Sequence, residues 1–434
     1  MTENIQSYIE QLNGINPFAL TGSVVQTVGQ TVIAEGFPVP VGAVAQIERP
    51  GAEPVSVQTI GFRGNQTILS PYDSLTGIRN GSRIRLVCSQ PKLKIGDALL
   101  GRVVDALGNP VDDGPNMVLP QRVPFINAAP SPHKRPRIEQ VLSTGIRAID
   151  ALLTCGRGQR LGIFAGSGVG KSTLLGMMAR YAKAEVIVLG LVGERGRELN
   201  EFIERDLGAE GLAKSVIVVS TSDESAIKRT LSCYTATAIA EYFRDQGKDV
   251  LLLMDSLTRF AQAKREVGLA AGEPAAARGY PPSVFSAMGP LLERAGRTPQ
   301  GSITAFYTVL VEGDDENEPV ADAVRGLLDG HIWLSRKLAQ AGRYPAIDVL
   351  KSVSRLANEL ADSKLRRAAQ GFRQLMAAYA DCEDLISIGA YKPGSNPLVD
   401  DAIRLREPML NFLQQNVDDQ FDFQTAKEQL TELI

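Results

Sequence analysis

From residue 158 onward the chain sets down short, unbroken apolar runs: RLGIFA, EVIVLGLV, SVIVVS, VLLLMD, ITAFYTVL and HIWLS. Helical stretches separate them. Each run is rich in β-branched residues and none alternates with polar positions, which is the pattern of strands covered on both faces; their alternation with helices predicts a parallel sheet. Residues 20–90 read differently. GSVVQTV, TVIAEG, AVAQIE, VSVQTIGF, QTILSP and SRIRLV follow one another at close spacing, divided by glycine, proline and polar turns, and predict a small antiparallel β-barrel. Ahead of it Ile5, Tyr8, Ile9 and Leu12 fall at i, i+3, i+4 and i+7, the spacing of a short amphipathic helix that either packs on its own barrel or docks a partner. Residues 358–388 and 397–434 carry a helical period, interrupted at Pro393 and Gly394. The expected organisation is a helical segment over 1–19, a barrel over 20–90, an α/β core over 91–357 and a helical domain over 358–434.

Composition narrows the function classes. A chain of 434 residues exceeds one compact core and suits two or three domains. Its net charge of −3 supplies no general attraction for nucleic acid. The four cysteines, Cys88, Cys155, Cys233 and Cys382, are far apart and read as reduced thiols, and with only His133 and His331 neither a histidine-rich metal site nor a histidine-driven triad is expected. The first twenty residues lack a basic start and an apolar stretch, and no window approaches the roughly 20 apolar residues of a membrane span. The expectation is a cytoplasmic protein.

The chemistry is concentrated at AGSGVGKS, residues 165–172, directly after the run RLGIF and directly before TLLGMMARYA. A strand, a glycine-rich turn and a helix in that order make a phosphate-binding loop. Backbone N–H groups of the turn face inward as an anion nest, aided by the positive end of the helix. The loop residues are Gly166, Ser167, Gly168, Val169 and Gly170, followed by Lys171, Ser172 and Thr173. Lys171 can reach the β- and γ-phosphates of a nucleotide, and the Ser172 hydroxyl can ligate Mg2+. The usual pattern opens on glycine, where this chain has Ala165. Such a loop needs a second carboxylate on the metal side, and Asp255 ends the apolar run VLLLMD. Glu194 follows the run EVIVLGLV, at the strand end where open α/β sheets bind ligands. By position alone it is either a general base or a carboxylate favoured by a helix dipole.

The blocks LVGERGRELNEF, VLLLMDSLTRFAQAKRE, GYPPSVFS, GSITAFYTVLVEGDDENEPVADAV, LDGHIWLSR and YPAIDVLKSVSR together resemble the type III secretion ATPases, over about residues 20 to 410. The flagellar branch is the nearer and the injectisome branch its close twin. Both are similar to the α and β subunits of rotary ATP synthases, which share LLGRVVDALGNPVDDGP. The resemblance implies a RecA-like core behind the barrel and an Mg-dependent ATPase that couples hydrolysis to release and delivery of export substrates and chaperones at the membrane export gate. It implies that Glu194 is the catalytic glutamate, Lys171 the phosphate-loop lysine and Asp255 the magnesium-side carboxylate. Arg355, in SVSR, matches an arginine that completes the neighbouring subunit's site, and Tyr344 matches a tyrosine that stacks on adenine. Glu194 and Arg355 occur here in one chain, so identical subunits can each own a site and complete the next, which suits a closed homohexameric ring. The same resemblance points to export-apparatus regulator and stalk proteins as partners, with the acidic stretch over residues 312–322 facing the ring's channel.

Three rivals follow from the same residues. A ring-shaped RNA helicase would want aromatic and basic side chains on its barrel, where residues 20–90 offer only Phe37, Phe62 and Tyr72 as aromatics. A non-catalytic regulatory subunit would not need both Lys171 and Glu194. A rotary catalytic subunit would not need Arg355 to serve its own kind.

Overall fold

The six short runs of the N-terminal region close on themselves. In the computed structural model, which describes residues 20–434 apart from 312, 314 and 316, they form β1 (Thr21–Val28), β2 (Thr31–Glu35), β3 (Val44–Arg49), β4 (Ala52–Arg63), β5 (Gln66–Pro71) and β6 (Arg83–Cys88). These join as a closed barrel in the order β1-β2-β5-β4-β3-β6. In β6, Ile84 points inward while Arg83 and Arg85 face solvent, the two-residue period of a strand with one wet face. Val32, Ala45, Ile47, Val57 and Leu69 fill the interior beside it. The helix expected within residues 1–19 lies outside the described residues.

Of the three barrel aromatics, Phe37 and Tyr72 are core residues and only Phe62 is exposed. A run of stacking platforms for single-stranded nucleic acid needs several exposed rings, and the described barrel offers this one.

After the barrel come β7 (Lys92–Ile95), β8 (Val103–Val104) and β9 (Gln121–Pro124); β7 and β9 make a two-stranded ribbon. The core strands are β10 (Arg160–Ala165), β11 (Val186–Glu194), β12 (Ser215–Thr221), β13 (Asp249–Asp255), β14 (Gly296–Arg297), β15 (Ser302–Leu310), β16 (Gly330–Leu334) and β17 (Ile347–Ser354). They build a nine-stranded sheet in the order β17-β16-β10-β15-β13-β11-β12-β8, with β14 paired to β15. From β16 to β8 the strands run parallel. The unbroken apolar runs are explained by burial on both faces. In β11, Val186, Val188 and Val192 enter one core cluster, whereas Ile187, Leu189 and Leu191 enter the cluster on the opposite face.

The edge strand β17 is antiparallel to β16 and has no counterpart among the apolar runs. Its sequence IDVLKSVS buries Ile347, Val349 and Ser352 and exposes Leu350, Lys351 and Val353, so a search for unbroken apolar segments passes over it.

The C-terminal helices Ser363–Ser387, Pro397–Leu413 and Phe423–Leu433 start at Asp362, Asn396 and Asp422, whose side chains accept from Leu365, Leu398 and Thr425 N–H groups. These caps satisfy donors that the first turn leaves free. Leu365, Phe372, Met409, Phe412 and Leu430 join the same core cluster as one face of the sheet. The helical region is thereby fused to the core rather than tethered to it. Among the described residues no helix is long and apolar enough to cross a membrane.

Candidate active site

The phosphate loop leaves β10 at Ala165, which is buried, and enters the helix Lys171–Tyr181 through Gly170 in the left-handed conformation, φ 89°. Gly168 is also left-handed, φ 75°. A side chain at Gly170 would be strained by that backbone and would meet the Tyr344 ring at 3.2 Å, so glycine there is required twice over. Val169 is 2% exposed and belongs to the core cluster. Its side chain anchors the loop, and only its backbone can face a phosphate. Ser167 and Ser172 are exposed, and Thr173 is half-buried beside them.

The strand ends then bring the charged groups together. Lys171 Nζ donates to Asp255 Oδ1 at 2.6 Å, and Thr308 Oγ1, on the strand between, donates to the same oxygen at 2.6 Å. Asp255 is 3% exposed, so this pair of donors is what makes a carboxylate tolerable there. Glu194 Oε1 stands 3.8 Å from Lys171 Nζ. Burial would depress the Lys171 ammonium, but the facing charges of Asp255 and Glu194 outweigh it and hold the lysine above its ordinary pKa. Burial, with the Asp255 charge behind it, pushes the Glu194 carboxyl above the ordinary glutamate value despite Lys171. A carboxylate held towards neutrality at a strand's carboxyl end is suited to accept a proton from water.

Lys171 and Glu194, with the phosphate loop, line a cleft of about 1020 Å3, at the upper end of small-ligand sites, and Asp255 and Thr308 lie buried behind the lysine. Its far wall is Tyr344 with residues of the C-terminal segment 411–417. Tyr344 is half exposed, with its ring against Gly170.

Two contributors were not singled out from the sequence. Arg259 lines the cleft, lies within 3.3 Å of where a Cβ on Gly193 would stand, and acts electrostatically on both Lys171 and Glu194. Its signal was its position four residues after Asp255, in the first turn of the following helix. Thr308 was hidden inside an apolar run, with no signal until β15 was known to lie beside β13.

Arg355 is not in this cleft. It follows β17 directly, is exposed, and its guanidinium has no partner among the described residues.

Residues 145–354 match the model of the ATP synthase alpha/beta family, nucleotide-binding domain, and residues 361–432 match that of the T3SS EscN ATPase C-terminal domain. The fold and this match define an ATP-hydrolysing enzyme with the nucleotide-binding domain of the ATP synthase alpha/beta family. The chain belongs, more narrowly, to the type III export ATPase family. It is 46% identical to the flagellum-specific ATP synthase of Bacillus subtilis (strain 168), over 95% of both chains. It is 47% identical to the type 3 secretion system ATPase of Xanthomonas euvesicatoria, over 94% of this chain and 93% of that one. The assembled ATPase EscN of the enteropathogenic E. coli type III secretion system superposes with a TM-score of 0.91 at 46% identity, covering 95% of this chain and 99% of EscN. EscN in complex with its central stalk EscO gives 0.88.

Proposed function

We propose that this chain is an Mg-dependent ATPase that drives a type III export apparatus, the flagellar one foremost, working as a homohexameric ring at the cytoplasmic face of the membrane export gate. The observation that carries the reading is the convergence of Lys171, Asp255 and Glu194 at the mouth of a glycine-rich phosphate loop. Lys171 binds the β- and γ-phosphates of ATP, with the backbone of Gly166 to Gly170 and the Ser167 and Thr173 positions around them. Tyr344 stacks on adenine. Glu194 takes the proton of the attacking water.

The residues present fit a magnesium ion. The Ser172 hydroxyl is exposed at the loop, and Asp255 keeps Oδ2 free while Oδ1 is engaged by Lys171 and Thr308. Among the described residues no group of three or more His, Cys, Asp or Glu side chains could hold a metal ion by itself, so nucleotide phosphates and water would complete the shell, as is usual for this cation. Bound there, the ion neutralises charge on the β- and γ-phosphates.

Arg355 is assigned to the next subunit's site. It is exposed just past the end of the edge strand β17, which also leaves Leu350 and Val353 40% and 46% exposed. The acidic stretch over residues 312–322 is assigned to the ring's channel. It is described only in part: Asp315 pairs with Arg278 and Glu318 caps the helix Pro319–Leu327. A stalk protein, a regulator, chaperones and export substrates are the partners of this reading, and the working domain limits are 20–90, 91–357 and 358–434. Relatives from injectisomes are as similar as flagellar ones, and an injectisome role is the second reading. Replacement of the gene by its Lys171→Ala form in the host tests both. Loss of filaments with intact needles supports the flagellar role, and the converse supports the injectisome role. Normal assembly of both would defeat the proposal.

A further inference from the structure

The cleft wall that faces the phosphate loop from the C-terminal side has a buried amide at its centre. Gln415 is 5% exposed. Its Nε2 donates to the carbonyls of Gly145 at 2.8 Å and Asp419 at 2.9 Å, and its Oε1 accepts from the Arg147 backbone N–H at 2.9 Å. Its own backbone N–H donates to the Tyr344 carbonyl at 3.0 Å. The residues on either side, Gln414 and Asn416, are exposed and line the cleft.

Two further straps hold the same segment. The Arg147 guanidinium donates to the carbonyls of Asn411 at 2.9 Å, Phe412 at 2.7 Å and Gln414, and its centre lies 4.5 Å from the Phe421 ring centroid. Arg180 and Tyr181, in the last turn of the helix that Lys171 begins, both donate to the Val417 carbonyl, at 3.0 and 3.2 Å.

We propose that Gln415 is a positioning residue for the base-side half of the nucleotide site, a step that rests on the nucleotide reading above. A plug at a domain junction needs only to satisfy its own amide. Gln415 does more: its main chain holds Tyr344, its side chain holds the turn at Gly145 and Arg147 that opens the helix Arg147–Leu152, and its neighbours form the wall of the cleft. The phosphate loop is attached to none of these bonds directly. Loss of the amide therefore loosens the grip on the base and ribose and leaves the grip on the phosphates.

The test compares a ligand that has a base with one that has none. MgADP and magnesium pyrophosphate are titrated calorimetrically into the full chain and into Gln415→Met, which keeps length, apolar bulk and the backbone bond to Tyr344 but has no side-chain donor for Gly145 and Asp419 and only a weak acceptor for Arg147, with thermal melting as the fold control. Loss of the buried bonds is expected to weaken MgADP about tenfold while pyrophosphate changes by less than about twofold. If the parent binds neither ligand, the nucleotide reading fails and this inference fails with it. If the parent binds both and the variant weakens them in equal proportion, or weakens neither, the inference alone fails. Hydrogen exchange on the parent protein gives the same decision without relying on a folded variant. MgADP should slow exchange across residues 411–417 more than pyrophosphate does, and equal protection by the two ligands, or none, overturns the proposal.

Discussion

Arg355 and Lys171 stand at opposite ends of one sheet. Arg355 follows Ser354, which pairs with Gly330, and its N–H donates to the Asp329 carbonyl at 3.0 Å, at the start of β16. Lys171 lies beyond Ala165, which pairs with Leu334 at the end of β16. Four residue steps separate those levels, roughly 13 Å along the strand, and the phosphate loop lies further on. The parallel β10 and β16 direct the loop one way, and the antiparallel β17 sends Arg355 the other. The end of β17 that carries Arg355 therefore lies away from the chain's own phosphate loop.

If Arg355 acts across the ring, Arg355→Ala rings bind ATP and hydrolyse it poorly, with losses of roughly 10³ to 10⁵ for an arginine of this kind. Glu194→Gln rings fail for a different reason, because they keep the arginine and lack the base. Mixing the two variants restores some interfaces in which an intact Glu194 meets an intact Arg355. Phosphate release by the mixture is compared with each variant alone, after light scattering confirms that mixed rings form. Mixed rings with no recovered activity would count against a shared site.

Lys171→Ala is expected to abolish turnover while the protein remains folded. Asp255 keeps the Thr308 hydroxyl as a donor, and the lysine lies at an open cleft that water can enter. Circular dichroism and phosphate release check the two halves of this expectation. Normal turnover by the folded variant would end the phosphate-loop assignment.

Glu194→Gln should retain Mg·ATP binding and lose at least about a hundredfold in hydrolysis. The parent's pH profile gives an independent reading. A general base works when ionised, and burial together with Asp255 raises the Glu194 pKa above 4.5. The acidic limb of kcat/KM, which reports the free enzyme, should therefore have its midpoint above that value. A midpoint at or below it would remove Glu194 from the role.

Asp150 predicts a pH dependence of stability away from the cleft. It is fully buried and its carboxylate accepts from Ser143 Oγ, Thr144 N–H and Thr144 Oγ1. Burial outweighs these bonds and raises its pKa from 3.8 to about 6. Between those values the folded state binds more protons than the unfolded one, so this group's contribution to stability falls as pH rises and levels off above the folded pKa. Asp150→Asn should lack this component. Its denaturation midpoint relative to the parent should climb between about pH 5 and 6 and be constant above about pH 7. A difference independent of pH would show that Asp150 does not titrate in that range.

Local pattern was enough for much of this protein. Six barrel strands, the buried strands of the core and the C-terminal helices were legible because burial on one face, on two faces, or on a helical stripe each leaves its own period in the chain. Lys171, Ser172 and the glycines were legible because a phosphate nest is built from consecutive residues. Asp255 and Glu194 were legible as strand-end carboxylates, though for Glu194 position left two readings and the resemblance favoured one. Arg355 and Tyr344 came only from the resemblance, since neither carries a local signal.

What the chain order could not express was which strands lie side by side. Thr308 reaches Asp255 only because β15 is inserted between β10 and β13, and Arg259 acts on Lys171 and Glu194 only because its helix starts where β13 ends beside β11. β17 escaped because an edge strand buries one face and so lacks an unbroken apolar run. Gln415 joins Tyr344 and Gly145 across separations of many tens of residues, through a buried amide that looks like any polar residue after a helix. Contacts of that kind are made by the closing of a sheet and the docking of helices upon it, and a side chain's partners there are chosen by tertiary proximity rather than by neighbours in the chain.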